Sequence, residues 1–191
     1  MSFFSQQKSP KEHGVELSSQ LWKAMETIPD ELSSIANQEV FHLDDIDTRI
    51  LFSELVILIY VGQRLALQLT PKKDGERDVA KRREICKALD RHALEFLDDS
   101  QEFQSRLDER GMQYHQLFQS HIEEINQGNY EKFFESLQFK FEQFCRGGGD
   151  YKGGYLYIGD FFSAISLKTL AGQYWLKGFA QTVKYINEQG I

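Results

Sequence analysis

The chain has 191 residues, a net charge of −7, 41% apolar residues and 27% charged residues, proportions of a globular domain long enough to build one sizeable core. The acidic balance argues against a general nucleic-acid binder, which presents a basic face to phosphate, and gives no help in binding an anionic membrane surface. Cys86 and Cys145 fit neither a disulfide framework nor a metal motif, so they read as reduced thiols of a cytoplasmic protein.

The opening MSFFSQQKSPKEHG lacks the basic, apolar, small order of a secretory signal. Its polar residues and Pro10 read as a mobile tail over residues 1–12, ahead of one domain over 13–191. Leu17, Leu21, Trp22 and Met25 then recur at helical spacing. Pro29 is expected to end that helix, with Asp30 beginning a short one through Ile35. Val40, Phe41 and Leu43 look extended and buried.

Asp44 or Asp45 is the expected cap of a long helix that ends at Pro71. Its stretch Ile50–Leu69 is long enough to span a bilayer but contains Glu54, Gln63, Arg64 and Gln68. Ionised groups near mid-span cost about 2.5–3.5 kcal/mol each, so the run is better explained as the central helix of a core, apolar nearly all round from Ile50 to Val61. TPKKDGERD is a turn. Beyond it Val79, Ile85, Cys86, Leu89, Ala93, Phe96 and Leu97 form one helical face.

Asp98, Asp99 and Ser100 restart the chain. Phe103, Leu107, Tyr114, Phe118, Ile122 and Ile125 form the next stripe, within which Gly111 suggests a close helix approach. Gly128 and Asn129 read as stop and start, followed by Phe133, Phe134, Leu137, Phe141 and Phe144. The run GGGDYKGG over Gly147–Gly154 intervenes, and Asp160 is expected to cap a long last helix running past Ile186. The pattern predicts an all-α, single-domain bundle of about six or seven helices, with a central hydrophobic helix and a Gly-rich loop before the C-terminal helix.

The glycine run is not a phosphate loop, because no strand precedes it and no Lys-Ser or Lys-Thr pair follows. It reads as a helix stop plus a loop carrying Tyr151, Lys152, Tyr155 and Tyr157, side chains suited to a partner. Glu39 and His42, near Asp44, Asp45 and Asp47, make half of a di-iron helical pattern. The other half is missing, no cofactor is implied, and a metal-dependent enzyme is the least supported reading. Asp44–Asp47 and Asp98–Glu102 lack the spacing of a magnesium-binding DDxxD motif and sit where helices need caps.

Glu54 is sharper. A carboxylate inside ILFSELVILIY must be protonated or paired, because an unpaired buried charge is very costly. It is a candidate polar anchor for an apolar ligand, as are His92 and His121, which lie beside apolar faces. Charge is also polarised: residues 72–91 hold eight basic and five acidic side chains, residues 95–124 two basic and eight acidic. Arg83, Lys87 and Arg91 share i, i+4 spacing and form one basic edge. The leading expectation is a non-catalytic protein that binds another protein, or itself through the broad apolar stripe at Tyr174, Trp175, Lys177 and Gly178. The alternative is a carrier of a small apolar or lipid-like ligand, or a ligand-dependent regulator.

Overall fold

The computed structural model describes the backbone of residues 8–36, 43, 46–70, 76–96, 101–147 and 158–191. Among these, seven helices and no strand occur: α1 (Pro10–Ala36), α2 (Thr48–Leu69), α3 (Glu76–Phe96), α4 (Gln101–Ser120), α5 (Ile122–Asn126), α6 (Glu131–Cys145) and α7 (Ile158–Gln189). The all-α bundle with a central apolar helix is the observed architecture.

Helix α1 starts inside the segment read as a tail, for a reason written in Ser9-Pro10-Lys11-Glu12. Glu12 N–H donates to Ser9 Oγ at 3.3 Å, and Ser9 N–H donates back to Glu12 Oε2 at 2.7 Å. This is a reciprocal capping box with proline at the first helical position, where its missing N–H costs nothing. The expected break at Pro29 does not occur, and α1 continues to Ala36. Ile28 is fully buried and Leu32 packs against the core on the next turn, so tertiary burial outweighs one lost backbone hydrogen bond.

Asp47 is the cap of α2, accepting from the backbone N–H groups of Arg49 and Ile50 at 2.8 and 3.4 Å. Asp44 and Asp45 lie outside the described residues, as do Val40 and Phe41. Helix α2 is long and apolar enough to cross a membrane by length and composition, but most of it is buried among other helices. The predicted stripe Phe103–Ile125 is broken at His121 into α4 and α5. Asp160 lies within the first turn of α7, which begins at Ile158, so it is not the cap. Gly128 and Gly147 adopt φ of 80° and 102° just past helix ends, the left-handed stop for which glycine is suited.

Two pairs of helices meet backbone to backbone. A Cβ on Gly178 of α7 would lie 2.2 Å from the Ile59 carbonyl oxygen of α2, and one on Gly62 would lie 2.8 Å from the Trp175 oxygen. Gly14 of α1 meets Ala88 and Leu89 of α3 as closely. Gly111, expected at a close approach, has no atom within 4 Å of its Cβ position. Helix α1 runs antiparallel to α2: Gln63 donates to the Leu17 carbonyl at 3.0 Å at one end, while Leu32 and Phe52 share a recess at the other. It is antiparallel to α7 as well, with Glu31 near Tyr174 and Lys177, and His13 near Tyr185.

Candidate functional site

The three anchors expected from sequence are not brought together. Glu54 is buried midway along α2, and Arg110 of α4 donates to its Oε1 from Nε at 3.3 Å. The Arg110 guanidinium lies 4.0 Å from the centre of the Phe144 ring on α6, so one cation ties three helices together. Burial pushes the Glu54 carboxyl up to about 7, and the pull of Arg110 offsets only part of that. Glu54 Oε2 and the hydroxyl of neighbouring Tyr114 are both buried without hydrogen bonds. Glu54 is therefore a core group, paired with Arg110, whose proton is labile near neutrality.

His121 stands where α4 gives way to α5, its Nε2 3.2 Å from Ser136 Oγ and its ring edge-on to Phe133. His92 is half-buried on α3. A more deeply buried histidine, His13, was not apparent from the sequence: its Nδ1 lies 2.7 Å from the Tyr185 hydroxyl, which donates to Glu16 at 3.0 Å. Desolvation lowers the His13 pKa, so burial favours the neutral ring.

The basic edge is where the sequence placed it. Arg83, Lys87 and Arg91 are exposed along α3, with Lys87 paired to Glu84 at 2.7 Å. Arg83 and Lys87 border a groove of about 450 Å³ between α2 and α3, whose floor includes Leu67 and Cys86. Arg64 faces the same groove, held at 3.5 Å from Asp90, which also accepts from the Tyr60 hydroxyl at 2.7 Å. Buried Arg82 is spent internally, donating to the carbonyls of Thr70 and of Ile191, the latter at 2.7 Å. Burial raises both thiols, Cys86 to about 11 and Cys145 well above its ordinary value, so neither is an activated nucleophile. Tyr151, Lys152, Tyr155 and Tyr157 lie outside the described residues.

The stripe at the end of α7 is used within the chain. Tyr174, Trp175 and Gly178 are buried, and Tyr174 and Lys177 both donate to Glu31 of α1, at 2.5 and 2.8 Å. Tyr174, Trp175 and Gly178 meet α1, α6 and α2, while Leu176 beside them is 45% exposed. Among the described residues no three His, Cys, Asp or Glu side chains gather as a metal site. Glu39, His42, Asp44 and Asp45 lie outside the described residues.

A site the sequence did not suggest lies between the end of α1 and the start of α2. Leu32, Leu43, Ile46, Leu51 and Phe52 line a recess of about 660 Å³ together with the polar Ser33, Thr48, Arg49 and Ser53. That volume is within the range of about 300–1,000 Å³ that holds small organic ligands. The signal was present in Ile46, Leu51 and Phe52, but helical period alone assigns such residues to a core. Comparison with known proteins finds no match to the chain: no family model, no curated protein and no solved structure.

Proposed function

We propose that the protein is a non-catalytic binding protein that holds a small apolar ligand in the α1–α2 recess. The observation that carries this reading is the recess itself: a cavity of about 660 Å³ lined by leucine, isoleucine and phenylalanine together with Ser33, Thr48, Arg49 and Ser53. Apolar side chains that pack only partly, as Leu32, Leu43 and Phe52 do, gain from being covered by a ligand at about 25 cal/mol per Å² removed from water. Native mass spectrometry after gentle purification, followed by titration with an environment-sensitive apolar dye, tests it. One saturable site is expected, abolished by Phe52→Glu with the far-ultraviolet helical spectrum retained. Dye binding that does not saturate, or that Phe52→Glu leaves intact, sinks the reading.

A second reading is favoured by the α3 edge. Exposed Arg83, Lys87 and Arg91, beside a groove carrying Arg64, suit an acidic protein surface, on another protein or on a second copy of this acidic chain. Such binding weakens as salt shortens the screening length from about 8 Å to about 3 Å. It is expected to be lost in an Arg83→Glu, Arg91→Glu double variant. Partner capture indifferent to both salt and charge reversal would remove this edge from consideration.

A further inference from the structure

Resting on the reading that the α1–α2 recess takes an apolar ligand, we infer that this ligand is an anionic amphiphile, with its oxyanion head at Arg49 and its apolar body against Leu32, Leu51 and Phe52. Three buried titratable side chains elsewhere already have partners: Glu54 has Arg110, Glu142 has Arg146 at 3.2 Å, and Arg82 has backbone carbonyls. Arg49 differs from them. It is the one cation among the described residues of the recess, which include no carboxylate, and no ion pair engages its guanidinium among the described residues.

The nearest described acid in sequence, Asp47, is committed elsewhere. Its Oδ1 accepts from the backbone N–H groups of Arg49 and Ile50, closing the first turn of α2. The serines of the recess are also used as donors, Ser33 to the Pro29 carbonyl and Ser53 to the Arg49 carbonyl, each at 2.8 Å. The donors left for a ligand head are therefore the planar fork of Arg49, which matches a carboxylate or phosphate bidentately, and the Thr48 hydroxyl. Arg49 is exposed while Leu51 is buried, so the head sits at the mouth and the tail inside. A cationic head would meet a guanidinium, and an uncharged one would leave the fork unused.

The test is isothermal titration of the full chain with fatty carboxylates of increasing length, the matching alkyl phosphates, alcohols and trimethylammonium salts. The carboxylate or phosphate is expected to bind about tenfold more tightly than the alcohol of equal length. Each added methylene should tighten binding about fourfold until the recess is full. Arg49→Gln should erase the preference for the anion and leave alcohol affinity unchanged; because Arg49 is exposed, the fold is expected to survive, checked by the unfolding temperature. Whichever oxyanion binds more tightly identifies the head. Equal affinity for alcohol and anion, a preference that survives Arg49→Gln, or tighter binding of the ammonium overturns the inference while leaving the recess as an apolar site. Failure of every chain, charged or not, to bind at one equivalent overturns the recess reading itself.

Discussion

Alanine at Gly178 and alanine at Gly111 are the same chemical change on two helices, and the structure gives them opposite signs. The methyl group at Gly178 would lie 2.2 Å from the Ile59 carbonyl oxygen and 2.8 Å from its carbonyl carbon and Cα. Ordinary contact requires more than an ångström of additional room, and the obstacle is backbone that no rotamer change can move. Overpacking of this kind costs about 1–3 kcal/mol, and α2 and α7 must also lose dispersion contacts on either side as they part. Against that stands the gain of about 1 kcal/mol for alanine over glycine inside a helix. A net loss of about 2 kcal/mol is expected, which for a chain of this length lowers the unfolding temperature by about 4–8 °C. At Gly111 the added methyl meets nothing within 4 Å, so only the propensity gain remains, and a rise of about 2–4 °C is expected. Thermal unfolding and urea titration of both variants give the answer, with an unchanged urea slope certifying that the unfolding reaction is the same. A neutral or stabilised Gly178→Ala, or shifts of the same sign in both proteins, would refute the backbone-to-backbone contact between α2 and α7.

Two further outcomes follow from buried charge. The Glu54 carboxyl is raised from 4.5 to about 7, so between those pH values the folded protein keeps a proton that the unfolded chain has released. That contribution is complete below pH 4.5 and is lost as pH rises through 7, a swing on the order of 3 kcal/mol. Glu54→Gln lacks the swing, so its stability relative to the parent should improve steadily from pH 5 to pH 8 in chemical denaturation; parallel curves would show that Glu54 does not titrate in this window. Arg82→Met keeps much of the side-chain volume but leaves the carbonyls of Leu67, Thr70 and Ile191 without this donor. A loss of about 3 kcal/mol or more is expected, with faster amide exchange at Ile191, whose N–H donates to Ile186 at 3.1 Å; unchanged protection there would count against the clasp.

The two glycines also show where sequence reading stops. A glycine inside a helical stripe looks the same whether its missing side chain faces a neighbouring helix, as at Gly178, or an open groove, as at Gly111. The depth of Glu54 was legible because it stands in an unbroken apolar run; its partner was not, because Arg110 is on another helix and helix order leaves no local mark. At the start of α2 the aspartates offer equivalent caps by composition, and only backbone geometry selects Asp47. The division of α4 from α5 was hidden for a related reason: Phe118, Ile122 and Ile125 keep helical spacing across the break, since His121 bends the backbone without moving the apolar face away from the core. By contrast, the glycine stops at Gly128 and Gly147 are local chemistry that the sequence displays, whereas the equally local Ser9–Glu12 box was hidden because polar residues around Pro10 also read as a tail.

The recess was illegible because it is a property of how two helices diverge. Helices α1 and α2 are held together at one end, where Gln63 reaches the Leu17 carbonyl, and enclose the recess at the other. Two backbone-tight crossings bear on the same pair: α7 fixes α2 at Gly62 and Gly178, and α3 fixes α1 at Gly14. Helix α7 holds both, α2 at the glycine contact and α1 through Glu31, and α3 holds α1 at Gly14, so closing the gap would disturb at least one of these contacts. The apolar walls at Leu32, Leu43 and Phe52 therefore stay partly uncovered as a consequence of packing elsewhere, which is how a pre-formed site is kept open in a bundle. The same argument separates stability from binding. A variant that loosens the α2–α7 crossing removes one of the two anchors, so Gly178→Ala should weaken ligand binding at temperatures where the protein is still folded. Gly111→Ala, remote from both anchors, should not. Equal affinities in the two variants would show that the recess owes its shape to its own wall residues alone.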